Sequence, residues 1–178
     1  MKHILLCLFA FTVLLTACTT SPERNSGKAP ANLKTTLQPF SDTVKMDTFK
    51  VVLQGKKPKD MLLTFSITAF DGKEIYKEEL KAGDLIENYK ETLDLSKENS
   101  QRDFIIDEFN IFFDEENFLW PALTPEQTPD KYTQDKAFFH ELQQRNLNGF
   151  KYRVSKETNI YIAWSEQEKK VKVYYKCC

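Results

Sequence analysis

From residue 44 onward the chain sets apolar against polar positions in two distinct periods, and the changes of period mark out its elements. Over residues 44–53, Phe49, Val51 and Leu53 alternate with Thr48, Lys50 and Val52. A period of two predicts a strand, because successive side chains leave opposite faces of a pleated backbone. Residues 61–70 repeat the pattern with Leu63, Phe65, Ile67 and Ala69 on one face, and Gly55-Lys56-Lys57-Pro58-Lys59-Asp60 breaks the chain between the two runs. Asp71-Gly72 predicts a two-residue type I′ hairpin, a turn that needs positive φ at both central positions. It leads into a more polar strand over 73–80, expected at a sheet edge.

At 84–95 the period lengthens. Leu85, Ile86, Tyr89 and Leu93 fit one helical face, and Asp84 with Glu87 three residues on has the form of a capping box. A longer helix opens after a second candidate cap, Ser100-Gln101-Arg102-Asp103. There Ile105, Ile106, Phe109, Phe112 and Phe113 recur at three- and four-residue spacing, the stripe of an amphipathic helix. Asp103, Asp107, Asn110 and Asp114 fall on its other side and are read as a solvated face. The acids Asp114-Glu115-Glu116 lack the alternating spacing of a calcium loop, and no metal site is assigned. A further helix, from 133 or 134 to 145, turns Ala137, Phe138 and Leu142 inward and sets Glu141 four residues before Arg145 as an ion pair.

Residues 117–130 follow neither period. Pro121, Pro125 and Pro129 fall within nine residues, and proline lacks the backbone donor that a helix or central strand needs, so the stretch is read as a long connection. It is apolar all the same. Phe118, Leu119, Trp120 and Leu123 either cover the core or offer a partner-binding edge, and Trp120 is the first candidate anchor because aromatic anchors dominate interfaces. Three strands of a meander follow over 150–155, 159–165 and 171–177. Their shared faces carry Phe150, Tyr152 and Val154, then Ile160, Ile162 and Trp164, then Val171, Val173 and Tyr175. The expected fold class is α+β, with about six mostly antiparallel strands in two three-stranded halves and two or three helices inserted between them.

The first residues are of another kind. Lys2 is followed by an apolar run over 4–15 interrupted only by Thr12, then by Thr16 and Ala17. That is the form of a secretory signal peptide, and the run is shorter than the roughly 18 apolar residues of a membrane span. Leu15-Thr16-Ala17-Cys18 resembles the lipobox of bacterial lipoproteins. The resemblance implies cleavage after residue 17, a lipidated Cys18 carrying acyl chains such as palmitate, and anchoring in the cell envelope. Several chains on one residue exceed the marginal hold of a single chain. Thr19, where an aspartate would favour inner-membrane retention, leans by the same resemblance toward the outer membrane. Residues 18–38, from Thr19-Thr20-Ser21-Pro22 onward, hold few apolar side chains. They are read as a flexible tether ahead of a single domain over 39–178.

Removing residues 1–17 from the 178-residue chain leaves 161, enough for one domain with its own core. Lys2 leaves with the signal, so 24 basic residues face 26 acidic ones. That balance excludes the clustered positive charge of a nucleic-acid partner. Of four cysteines, Cys7 leaves with the signal and Cys18 takes lipid, so the core folds without a disulfide framework. The remaining pair, Cys177 and Cys178, is adjacent. Neighbouring Cα atoms lie about 3.8 Å apart, below the usual disulfide range of roughly 4.4–6.8 Å. The alternatives are a vicinal disulfide, a soft-metal or redox thiol pair, a bond to another chain, or packed sulfurs; the vicinal disulfide is favoured.

Chemistry-bearing motifs are scarce. The mature chain has one histidine, His140, and no nucleophile elbow, phosphate loop, dinucleotide fingerprint or zinc-protease pair accompanies it. No catalytic residue and no cofactor beyond the Cys18 lipid is assigned. The expected function is that of a membrane-anchored envelope lipoprotein presenting a non-catalytic binding or assembly domain, for a protein or small-molecule ligand. The alternative is an enzyme facing the periplasm that uses His140 or paired carboxylates, or a metal or redox protein using Cys177 and Cys178.

Overall fold

The computed structural model describes residues 32–89 and 92–177. The expected signal peptide, Cys18, most of the expected tether and Cys178 lie outside the described residues. Among those described, eight strands form two antiparallel four-stranded sheets, with three α-helices. Sheet 1 is the meander β1 (Leu33–Pro39), β2 (Met46–Gln54), β3 (Leu62–Thr68) and β4 (Glu74–Lys81). Helices α1 (Ala82–Ile86) and α2 (Glu98–Ile111) follow. Sheet 2 comprises β5 (Phe118–Leu119), β6 (Gly149–Ser155), β7 (Thr158–Ser165) and β8 (Lys170–Cys177), with α3 (Lys136–Arg145) between β5 and β6. The class is α+β as expected, but with eight strands instead of six and four strands in each sheet.

The two additional strands are those that side-chain periodicity could not announce. β1 lies in the stretch read as tether except for its last residue, and pairs with β2 from Leu33↔Val52 to Pro39↔Met46, so the folded chain begins ahead of residue 39. Its core-facing positions are Lys34 and Thr36, opposite Val51 and Phe49, while Leu37 points outward and is 59% exposed. Backbone pairing holds this strand, aided by Lys34, whose ammonium donates to the Asn110 carbonyl near the end of α2, where the helix dipole favours a cation. β5 is two residues long, pairing Phe118 with Phe150 and Leu119 with Gly149.

Both sheets and α2 meet in an aromatic core. Phe49 and Phe150 lie 5.3 Å apart, Phe65 and Phe150 5.2 Å, Phe118 and Phe150 4.9 Å, and Phe65 and Phe112 5.2 Å between ring centroids. Such pairs are worth about 0.5–1.5 kcal/mol each beyond the area they bury. One carboxylate is buried at the edge of this core. Asp47 accepts from the Ser41 and Phe70 backbone N–H groups at 2.6 and 2.9 Å and from Ser41 Oγ at 3.0 Å, which satisfies it where an unpaired carboxylate would be costly.

Several local expectations change. Only Gly72 in the β3–β4 turn has positive φ, and its N–H donates to the Ala69 carbonyl. The turn is therefore centred on Phe70 and Asp71 with Gly72 in the left-handed position, a longer loop than the two-residue type I′ form. α1 begins at Ala82 and gives way to a single 3₁₀ turn (Glu87–Tyr89), so Asp84 sits inside the first turn instead of capping it. α2 begins at Glu98, before the Ser100–Asp103 cap. Its Asp103, Asp107 and Asn110 are exposed, as a solvated face requires.

A second, smaller core lies on the opposite face of sheet 2, where α3 and the 120–130 connection pack. Phe138, Phe139, Leu142, Leu123 and Tyr174 are buried there over Ala163. A bulge in β8 supplies part of it: Tyr161 pairs with Tyr175 and Ile162 with Val173, leaving Tyr174 unmatched. Tyr174 and Tyr175 consequently both pack on the α3 side, and the expected alternation of Val171, Val173 and Tyr175 on one face fails at its last member. Ala137 is exposed, and Glu141 is buried in its place at 4% exposure. Glu141 accepts from Ser165 Oγ at 2.9 Å and from the Gln167 N–H at 3.1 Å. It ties α3 to the β7–β8 turn instead of pairing with Arg145.

Candidate functional site

The proline-rich connection and the outer face of sheet 2 enclose the candidate site. Alternation along β5 and β7, with the bulge in β8, brings Leu119, Tyr161, Tyr174 and Tyr175 to the floor. Pro121 to Thr124, Gln127 and Thr128 form one wall, and Phe139 of α3 the other. Together they line a pocket of about 410 Å³, within the size range of small-molecule sites.

The wall is fastened at several points. The Ala122 N–H donates to the Leu147 carbonyl at 2.7 Å, and the Ala122 carbonyl accepts from Tyr174 Oη at 3.0 Å. Gln143 Nε2 of α3 faces the carbonyls of Thr124, Pro125 and Gln127 at 3.3, 3.3 and 2.7 Å. Beyond the wall, Tyr175 Oη donates to Asp130 Oδ2 at 2.7 Å, and the Gln134 and Lys176 backbone N–H groups donate to the Tyr174 and Tyr132 carbonyls, each at 3.1 Å. Gly149 allows the close approach: a Cβ there would meet Ala122 Cβ at 2.9 Å and Tyr174 Oη at 3.2 Å.

The electrostatics of the pocket are set by its phenols. Burial raises the Tyr174 and Tyr161 hydroxyls above the ordinary tyrosine value. The bond to Asp130 first, and burial second, push Tyr175 up to about 12. That same bond holds Asp130 below the usual aspartate value. Phenols are neutral at neutral pH in any case, and these shifts move all three further from ionisation.

The residues singled out in the apolar connection part company. Leu119 and Leu123 line the pocket, Phe118 is buried in the main core, and Trp120 lies outside with 51% of its surface exposed. Trp120 stacks on Phe118 at 6.2 Å and precedes Pro121 through a cis peptide bond. The stretch thus covers the main core with Phe118 and lines the pocket with Leu119 and Leu123. The sequence offers no sign of Tyr161 or Tyr174 and places Tyr175 on the face of Val171 and Val173, since the β8 bulge that brings Tyr174 and Tyr175 beside Tyr161 carries no local signal.

The alternative chemistries are dispersed. His140 is exposed on α3, with Nδ1 3.3 Å from Gln143 Oε1, and does not line the pocket. Two carboxylates, Glu108 and Glu116, share a separate cleft of about 130 Å³ beside β6. Burial raises the Glu108 carboxyl against the opposing pull of Arg153. Arg153 Nη1 lies 3.2 Å from Glu108 Oε1 and also donates to Tyr89 Oη. These contacts link Glu108 of α2 and Tyr89 to Arg153 of β6. Cys177 is disulfide-bonded, and its partner lies outside the described residues. No group of three or more metal-ligating side chains occurs among the described residues. Set against protein families, curated proteins and solved structures, the chain matches none of them.

Proposed function

We propose that this chain is a lipid-anchored protein of the bacterial envelope whose folded domain is a non-catalytic binding module, with the pocket beneath the proline-rich connection as its site. The observation that carries the proposal is the pre-formed pocket of about 410 Å³, whose wall is held by Gln143, Tyr174 and Gly149. A site already shaped avoids the ordering cost that a mobile loop would incur on binding. Its lining of aliphatic, aromatic and hydroxyl side chains suits recognition better than proton or group transfer, which needs a titrating group near working pH.

The lipobox resemblance at Leu15-Thr16-Ala17-Cys18 supplies the anchor, and Thr19 the lean toward the outer membrane. We further propose that the bond made by Cys177 joins it to Cys178 and ends the last strand.

Two measurements test this function. Growth with an alkyne-bearing fatty acid should label the parent protein and leave Cys18→Ser unlabelled and released from the membrane fraction; equal labelling would sink the anchor. Native mass spectrometry of the mature protein released gently from its own membranes should show a small bound molecule. Thr128→Trp, which fills the pocket mouth, should lack it. Identical spectra from the two proteins would overturn the binding site.

A further inference from the structure

The geometry points to a ligand class for this pocket: a neutral, ring-bearing molecule that presents an oxygen acceptor to Tyr161 Oη. This inference rests on the binding-module proposal and deepens it.

Three observations carry it. The first concerns charge. No carboxylate, ammonium or guanidinium group lines the pocket, so a charged ligand would surrender its hydration with no counter-charge in return, which is costly in an apolar site. The second concerns shape. The Tyr161 ring meets Tyr174 at 6.0 Å and 67° and Tyr175 at 5.5 Å and 87°. These near-perpendicular contacts fix aromatic edges and faces against which a ring can pack.

The third concerns hydrogen bonding. Of the three phenols in the floor, Tyr174 already donates to the Ala122 carbonyl and Tyr175 to Asp130. Tyr161 lines the pocket, is half-buried, and has no hydrogen-bond partner among the described residues. As a phenol it is protonated at neutral pH, and burial raises it further. Among the phenols of the floor it is the donor left over for a ligand, and a matched acceptor yields the modest net gain of an ordinary hydrogen bond.

The test uses three naphthalenes of the same shape, titrated into the mature protein and followed by chemical-shift changes and tyrosine fluorescence. 2-Acetylnaphthalene is neutral and carries an acceptor, 2-isopropenylnaphthalene is its hydrocarbon counterpart, and 2-naphthoate is anionic. The acetyl compound should bind at least about tenfold more tightly than the naphthoate. Tyr161→Phe should weaken the acetyl compound by about fivefold to tenfold and leave the isopropenyl compound unchanged. Tyr175→Phe, whose hydroxyl is engaged by Asp130, should leave the acetyl-to-isopropenyl ratio as it is in the parent. Thermal unfolding of each variant checks that it folds.

Naphthoate binding as tightly as the acetyl compound would overturn the inference. So would a ratio unmoved by Tyr161→Phe. In either case, probes that still bind and are displaced by Thr128→Trp would leave the binding-module proposal standing. Failure of all three probes to bind would overturn the inference, and the mass spectra of the parent and Thr128→Trp proteins would then decide the binding-module proposal.

Discussion

Gly149→Ala puts the packing of the connection on sheet 2 to a direct test. The added Cβ would lie 2.9 Å from Ala122 Cβ, 3.2 Å from Ala122 Cα and 3.2 Å from Tyr174 Oη. Two of these neighbours belong to a short side chain and its backbone, which have no rotamer into which to retreat. Relief therefore requires the Ala122 backbone to move away from β6. That motion loads the 2.7 Å bond to the Leu147 carbonyl and the 3.0 Å bond from Tyr174 Oη. Overpacking of this kind costs about 1–3 kcal/mol, and each kcal/mol lowers Tm by about 2–4 °C in a domain of this size. The expected loss is roughly 2–12 °C, measured by circular dichroism or differential scanning fluorimetry. Ala122→Gly removes the closest contact, so it should recover part of the loss in the Gly149→Ala background while destabilising the parent. Coupling between neighbouring sites takes this form in a double-mutant cycle. A Gly149→Ala protein melting within about 1 °C of the parent, or strict additivity in the cycle, would refute the close approach and with it the fixed wall of the pocket.

Two further outcomes follow from the same contacts. Burial raises Glu108 above its ordinary value of 4.5, so the folded state holds its proton to higher pH than the unfolded chain does. Stability from this group is therefore present below pH 4.5 and declines as pH rises through the elevated folded value. Glu108→Gln, which keeps an oxygen acceptor for Arg153, should abolish that decline and change stability at pH 7 by less than about 1 kcal/mol; a loss of 3 kcal/mol or more would show that the Glu108–Arg153 charge pair is a principal brace. Thiol titration should find no reactive group at Cys177 or Cys178 before reductant and two afterwards, with no reductant-sensitive dimer on gels. Two reactive thiols in untreated protein would dispose of the vicinal bond.

What the sequence determined by itself is the set of elements whose side chains take part in burial. Phe49, Val51 and Leu53, and Leu63, Phe65 and Ile67, alternate because a strand facing one core must alternate, and all six are buried. Ile105, Phe109 and Phe112 recur at helical spacing for the corresponding reason, and the proline spacing marked the connection that walls the pocket. What only the tertiary structure decided is what depends on backbone pairing and on contacts between distant segments. β1 is a strand because its backbone completes the β2 edge, although Lys34 and Thr36 occupy its core side. Tyr174 reaches the second core because β8 bulges between Val173 and Tyr175, an event that a regular period cannot encode. Glu141 is buried because Ser165 and Gln167, more than 20 residues away, supply its donors. Tyr161 became the candidate recognition group only once Tyr174 and Tyr175 had found partners at Ala122 and Asp130. Local periodicity reports which face a residue occupies. Which hydroxyls remain unmatched follows from where the whole chain has folded.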